Sequence, residues 1–152
     1  MKSIACLVFF LLVETACKEV FDAPPTSRMK ASLKNSETKK DTSSVITILA
    51  LGRDSLFYNQ EKASSFILPL SPDQSTAFLI TFDGVKDTII FLHETMIRYA
   101  SMESGFYNEF KLKQLTTTHH KISSIQITDS LVTNTLHENI KLYIRPLPAG
   151  SK

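Results

Sequence analysis

Along most of this chain apolar residues return at every second position in short bursts, a period that admits strands buried on one face and little else. Residues 28–34 align Met29, Ala31 and Leu33, residues 76–82 align Phe78, Ile80 and Phe82, and residues 140–144 align Ile140, Leu142 and Ile144 against Lys141, Tyr143 and Arg145. Residues 45–51 (VITILAL) are apolar on both faces, as a central strand requires. Further strands are expected over 55–58, 65–70, 87–92 and 122–128. Residues 106–112 put Phe106, Asn108, Phe110 and Leu112 on a buried face and Tyr107, Glu109 and Lys111 in solvent. Asp83-Gly84, between two alternating runs, predicts a hairpin turn, because its central positions tolerate positive φ. Turn residues divide the bursts at roughly eight-to-twelve-residue spacing, which points to an all-β fold, an antiparallel β-sandwich, immunoglobulin-like or related, of about seven to nine strands with little helix. Residues 94–101 (ETMIRYAS) could make a turn or two of helix, but Ile97 and Tyr99 also fit a strand. The polar run 35–44 (NSETKKDTSS) is expected to be a mobile loop.

The first residues follow a different grammar. Lys2 precedes ten consecutive apolar residues, 4–13, and then Glu14-Thr15-Ala16-Cys17, the layout of an export signal. Spanning a bilayer takes about 20 apolar residues, so this run has the length of a signal core and not of an anchor. Thr15-Ala16-Cys17 resembles a lipobox, in which the cysteine is acylated and becomes the new N-terminus. Glu14 departs from that pattern, where an aliphatic residue is usual. The alternative is ordinary cleavage after Ala16, leaving Cys17 as a free thiol; lipidation is favoured because an exposed unpaired thiol is a liability in an oxidising compartment. Residues 18–27 (KEVFDAPPTS) read as an extended tether. The division expected is therefore a signal peptide over 1–16, the lipidated cysteine and tether over 17–27, the β-sandwich over 28–146 and a tail over 147–152.

This division changes what the two cysteines mean. Cys6 leaves with the signal and Cys17 is the lipid attachment site, so the remaining domain has no thiol for a disulfide or a thiolate metal site. Removing residues 1–16 from the 152 leaves 136, and the net charge stays at +2 because Lys2 and Glu14 cancel. That charge, without a cluster of Lys and Arg, argues against nucleic acid as a partner.

Several of these segments stand in a recognisable order: Ala50-Leu-Gly-Arg-Asp-Ser-Leu56, Leu68-Pro-Leu70, the 76–91 hairpin with Asp-Thr in its second strand, Gly105-Phe106 before Phe110-Lys-Leu112, and Ile122-Ser-Ser-Ile-Gln-Ile127. Together they resemble a family of small Bacteroidota lipoproteins carrying a β-rich domain of unknown function, over roughly residues 28–145 plus Cys17. The resemblance implies a lipid-anchored β domain with no assigned reaction, substrate or cofactor, encoded near an outer-membrane barrel protein. It also implies a disulfide from tether to body, which this chain lacks: residues 18–27 contain no cysteine, and Ser104 precedes Gly105.

Recognisable chemistry is sparse. His93, His119, His120 and His137 do not have the spacing to chelate from one element, since adjacent residues of a strand face opposite ways, so no metal site is expected. Gly52-Arg53-Asp54-Ser55 reads as the turn between two strands and not as an activated serine. Glu103, Glu109 and Asp129 stand apart, unlike the paired carboxylates of a glycosidase. Three tripeptides, Asp54-Ser55-Leu56, Asp87-Thr88-Ile89 and Asp129-Ser130-Leu131, resemble an O-glycosylation acceptor, which would place sugar on Ser55, Thr88 or Ser130; the plainer reading is a turn leading into a strand.

An anchor, a tether and a domain without catalytic residues lead to the expectation of a non-enzymatic envelope lipoprotein. It would bind or help assemble another envelope component, such as an outer-membrane barrel protein, and would need no cofactor. The alternative is a small apolar-ligand carrier, with the eight phenylalanines beyond the signal lining a barrel-like cavity. The expected location is the cell envelope, at the outer membrane. Lys18-Glu19 partly resembles a surface-export tag, which leaves the periplasmic and surface sides both open.

Overall fold

The computed structural model describes residues 23–53 and 55–146. Cys17, with the signal and most of the tether, lies outside the described residues, as do Asp54 and residues 147–152. Ten strands form among the described residues, and no helix: β1 (Arg28–Asn35), β2 (Ser44–Ala50), β3 (Ser55–Ala63), β4 (Ser65–Pro69), β5 (Ser75–Phe82), β6 (Val85–Ser101), β7 (Gly105–Thr117), β8 (Ile122–Ile127), β9 (Leu131–Val132) and β10 (Glu138–Ile144). They make two sheets, β4-β1-β10-β8 and β3-β2-β5-β6-β7-β9. The sheets do not close into a barrel; their inner faces share one core, in a β-sandwich arrangement.

Alternation puts the expected residues inside. Met29 and Leu33 of β1, Ile46 and Ile48 of β2, Phe78, Ile80 and Phe82 of β5, and Ile140 and Leu142 of β10 are essentially without solvent contact. Burying each such large side chain is worth about 1.5–3 kcal/mol, the main term holding the sheets face to face in a domain with no disulfide. At the β5–β6 turn Asp83 (φ 48°) and Gly84 (φ 86°) both adopt the left-handed conformation, which matches the twist of the flanking strands.

Several expectations are corrected. One pair is parallel, β1 with β10, with Leu33 opposite Leu142. A short tenth strand, β9, was not legible because two residues carry no period. Residues 94–101 are strand throughout, continuing β6 to 17 residues because this stretch keeps its pairing with β7. The 35–44 segment is a closed structure: Asn35 Oδ1 accepts from the backbone N–H of Glu37 (2.8 Å) and Thr38 (3.0 Å), and Lys34 pairs with Asp41. Phe106, expected inside, is 66% exposed, and the reason lies in the length of β6 and β7.

Candidate functional site

The polar side chains buried deepest in the sandwich fasten the chain where it crosses between sheets. Asp87 lies on β6 in phase with Ile89 and Phe91, and so faces the core. Its Oδ1 accepts from Thr118 Oγ1 (2.7 Å) and from His120 N (2.9 Å), with His120 Nδ1 at 3.2 Å; its Oδ2 accepts from Lys121 N (2.7 Å) and Ile122 N (2.8 Å). The carboxylate thus caps the whole β7–β8 crossover. Burial by itself would raise its pKa, but the hydrogen bonds from Thr118, His120, Ile122 and Lys121 outweigh it and hold the group below the usual carboxylate value.

Asn139 performs the corresponding task elsewhere. It is fully buried at the start of β10; its Oδ1 accepts from Lys30 N of β1 (3.1 Å), and its Nδ2 donates to Leu131 O of β9 (2.7 Å). One amide therefore ties a strand of each sheet. At the β3 edge the Tyr58 hydroxyl oxygen accepts from Ile67 N of β4 (2.9 Å), a second polar link between the sheets.

The histidines are dispersed. His93 is buried, with Nε2 2.9 Å from Thr76 Oγ1, an edge-on contact to Phe110 and no partner for Nδ1; burial pushes its pKa down, with Asp73 opposing. His120 lies against Asp87, and His137 against Asp129 (3.2 Å). His119 is exposed, with Nδ1 3.3 Å from Ile122 O. Among the described residues no group of three His, Cys, Asp or Glu is placed to hold a metal ion. Glu109, isolated in the sequence, pairs with Arg98 (2.9 Å).

The three acceptor-like hydroxyls sit in unlike surroundings. Ser55 opens β3, its Oγ 3.3 Å from Arg53 O, after a turn in which Gly52 has φ 85°. Ser130 precedes β9 in a turn where Asp129 Oδ1 accepts from Leu131 N (2.9 Å), and Ser130 O accepts from Leu112 N (2.8 Å). Thr88 stands in the interior of β6, half-buried, paired with Leu79 and donating its N–H to Thr118 Oγ1 (2.9 Å). The Asp87-Thr88-Ile89 tripeptide is thus mid-strand and not a turn.

Two surfaces remain as candidates for binding. The outer face of the six-stranded sheet brings Leu56, Leu49 and Leu79 side by side, with Ile90 and Leu92 on the adjoining rows. Leu56 is 54% exposed, and Ile90 and Leu92 are 39% and 40%, so the patch is aliphatic and open. The second surface is the arm formed by β6 and β7 beyond Leu92, the partner of Ser75 at the start of β5. Ile97, Tyr99 and Phe106 continue the inner-face phase of Phe91 and Phe110, but past the edge of the opposing sheet, and the Tyr99 and Phe106 rings meet edge to face at 5.4 Å. Sequence alternation put Phe106 in phase with Phe110 and could not show that, among the described residues, no element covers it.

Among the described residues the two sheets stay open and do not close into a barrel. Five of the phenylalanines, Phe66, Phe78, Phe82, Phe91 and Phe110, fill the core, while Phe57 and Phe106 are exposed. Two concavities lie at the end of the sandwich where the N-terminal segment enters, and a third, of about 500 Å³, lies apart from them between Lys113–Thr117 and Ser123–Ile127. Of the first two, one, of about 530 Å³, lies between Pro24–Arg28 and Phe106–Asn108; the other, of about 360 Å³, lies between the β2–β3 and β4–β5 connections, with Arg53, Ser71 and Asp73 on its wall.

No curated protein and no solved structure matches this chain. A family model matches residues 45–144, from the second strand to the end of the last, and the chain accordingly belongs to a family of unknown function (DUF6452).

Proposed function

We propose that this protein is a lipid-anchored envelope protein whose β-sandwich is a non-enzymatic binding or assembly module for another envelope component, with an outer-membrane barrel protein as the partner class. The observation that carries the reading is the aliphatic outer face of the six-stranded sheet, where Leu49, Leu56, Leu79, Ile90 and Leu92 lie together without a covering element among the described residues. A patch of this kind, rimmed by threonines such as Thr47, Thr81 and Thr116, suits docking against another protein. The export signal ending in Thr15-Ala16-Cys17 supports the address and the anchor.

The test is recovery of partners from cross-linked envelope membranes with the full-length protein, its Leu56→Lys/Ile90→Lys variant and its Cys17→Ser variant. The reading expects a barrel protein retained by the wild type and reduced at least tenfold by the double lysine variant. Equal recovery with the double variant, after circular dichroism has shown it folded, would sink the assignment of this face.

A further inference from the structure

We infer that the β6–β7 arm is a membrane-contact site, its apolar face resting in the interfacial region of the bilayer beside the N-terminal anchor. The exposed aromatic and aliphatic side chains of the arm gather on one side, with Asn108 opposite Ile97 among them, while the other side carries only Met96, beside Arg98. Ile97, Tyr99 and Phe106 are 72%, 59% and 66% exposed on one face, and Met102 at the tip is 90% exposed. The other face is ion-paired: Glu94 with Lys113 (2.8 Å), Arg98 with Glu109 (2.9 Å), and the Tyr107 hydroxyl donating to Glu109 Oε1 (3.3 Å). An element that satisfies its charges on one side and leaves aromatic and aliphatic groups bare on the other has the distribution of an interfacial segment. A tyrosine beside a phenylalanine and a methionine suits that depth, because the phenol can keep its hydroxyl at the headgroups.

The lipid surface is favoured over another occupant by where the chain enters. Pro24 to Arg28 and Phe106 to Asn108 line the same cleft, so the N-terminal segment meets the fold beside the arm. Cys17 precedes Ala23 by six residues. At ~3.3–3.6 Å per extended residue, they reach at most about 22 Å. An acyl chain on Cys17 therefore brings the arm to the bilayer, and the arm needs only weak intrinsic affinity, since the anchor makes its contact intramolecular. With this end toward the lipid, the outer face of the six-stranded sheet stands sideways to the membrane, where a neighbouring protein could reach it.

The inference rests on the anchored reading but can be tested apart from native acylation. The chain has no tryptophan, and without residues 1–16 it has one thiol, Cys17. Chain 17–152 carrying Phe106→Trp is coupled through Cys17 to a maleimide phospholipid in phosphatidylethanolamine/phosphatidylglycerol vesicles containing dibrominated phosphatidylcholine. Tyr107→Trp, on the ion-paired face, is the matched control. The expected result is at least a twofold loss of indole emission to the brominated lipid in the Phe106→Trp protein, with a blue shift, and little change in the Tyr107→Trp protein. Equal quenching of the two, or none, overturns the inference. So does a blue shift in the Phe106→Trp protein that appears without vesicles and grows with protein concentration, which would assign the face to a second copy. The mass of Cys17 in protein from the native host is a separate reading: an unacylated Cys17 sinks the natural anchor, and with it the inference for the cell, whatever the coupled vesicles show.

Discussion

Replacing Asp87 by Asn should destabilise the fold by about 3 kcal/mol although the two side chains have nearly the same shape. The carboxylate accepts from three backbone N–H groups of the β7–β8 crossover and from the Thr118 hydroxyl. An asparagine placed with its oxygen toward Lys121 and Ile122 keeps those two bonds without their charge assistance, and Thr118 can turn to accept from the amide. His120 N is then left facing a donor. One unpaired N–H costs about 1–3 kcal/mol, and weakening two charge-assisted bonds adds about 1 kcal/mol, giving the total of about 3. Asp87→Ala abandons all four donors and should cost about 5 kcal/mol, close to the whole stability of a marginal domain. Urea unfolding at pH 7 measures both; with a slope of about 2 kcal/mol per molar, the Asn variant should unfold about 1.5 M earlier. The pH dependence carries a second check. Because the folded pKa of Asp87 is lowered from 3.8, its stabilising charge is complete above 3.8 and is lost as pH falls through the folded value. The gap between wild type and Asp87→Asn should hold from pH 7 to 5 and narrow only below 3.8. A gap under about 0.5 kcal/mol at pH 7, or one unchanged at pH values below the folded pKa, would refute the assignment of Asp87 as the crossover cap.

The remaining expectations use the same logic. Asn139→Leu leaves Lys30 N without its acceptor and Leu131 O with only His137 Nε2 (3.0 Å), and should cost about 1–3 kcal/mol by urea unfolding, with faster hydrogen exchange at Lys30; an unchanged midpoint would contradict the tie. His93, held neutral by burial, has a pKa below 6.5, so its share of stability is complete above 6.5 and lost as pH falls from there toward the folded value. His93→Leu should therefore flatten the stability profile between pH 7 and 5, and a profile as steep as the wild type's would count against it. Intact mass of protein from the native host should show no sugar on Thr88, half-buried inside β6, and a hexose mapped to that residue would contradict its placement.

How far the chain could be read depended on whether a feature is local. Alternation is a property of neighbouring residues, and it was enough to place Met29, Phe78, Ile80, Phe82, Ile140 and Leu142 in the core and to set the Asp83-Gly84 turn, whose two positive φ angles are intrinsic to those residues. The same period puts Asp87 in step with Ile89 and Phe91, so the signal for an inward-facing carboxylate is carried by the order of residues alone. What alternation could not supply is what lies opposite. The donors to Asp87 come from residues 31 to 35 positions away, the parallel β1–β10 pair joins the first strand to the last, and Asn139 reaches strands of both sheets. The arm makes the point most plainly. Phe106 and Phe110 share one strand and one phase, yet Phe110 is buried and Phe106 is exposed, because the opposing sheet covers one and stops short of the other. A residue's own strand decides which way it faces; only the packing of the second sheet decides whether that direction is core or surface.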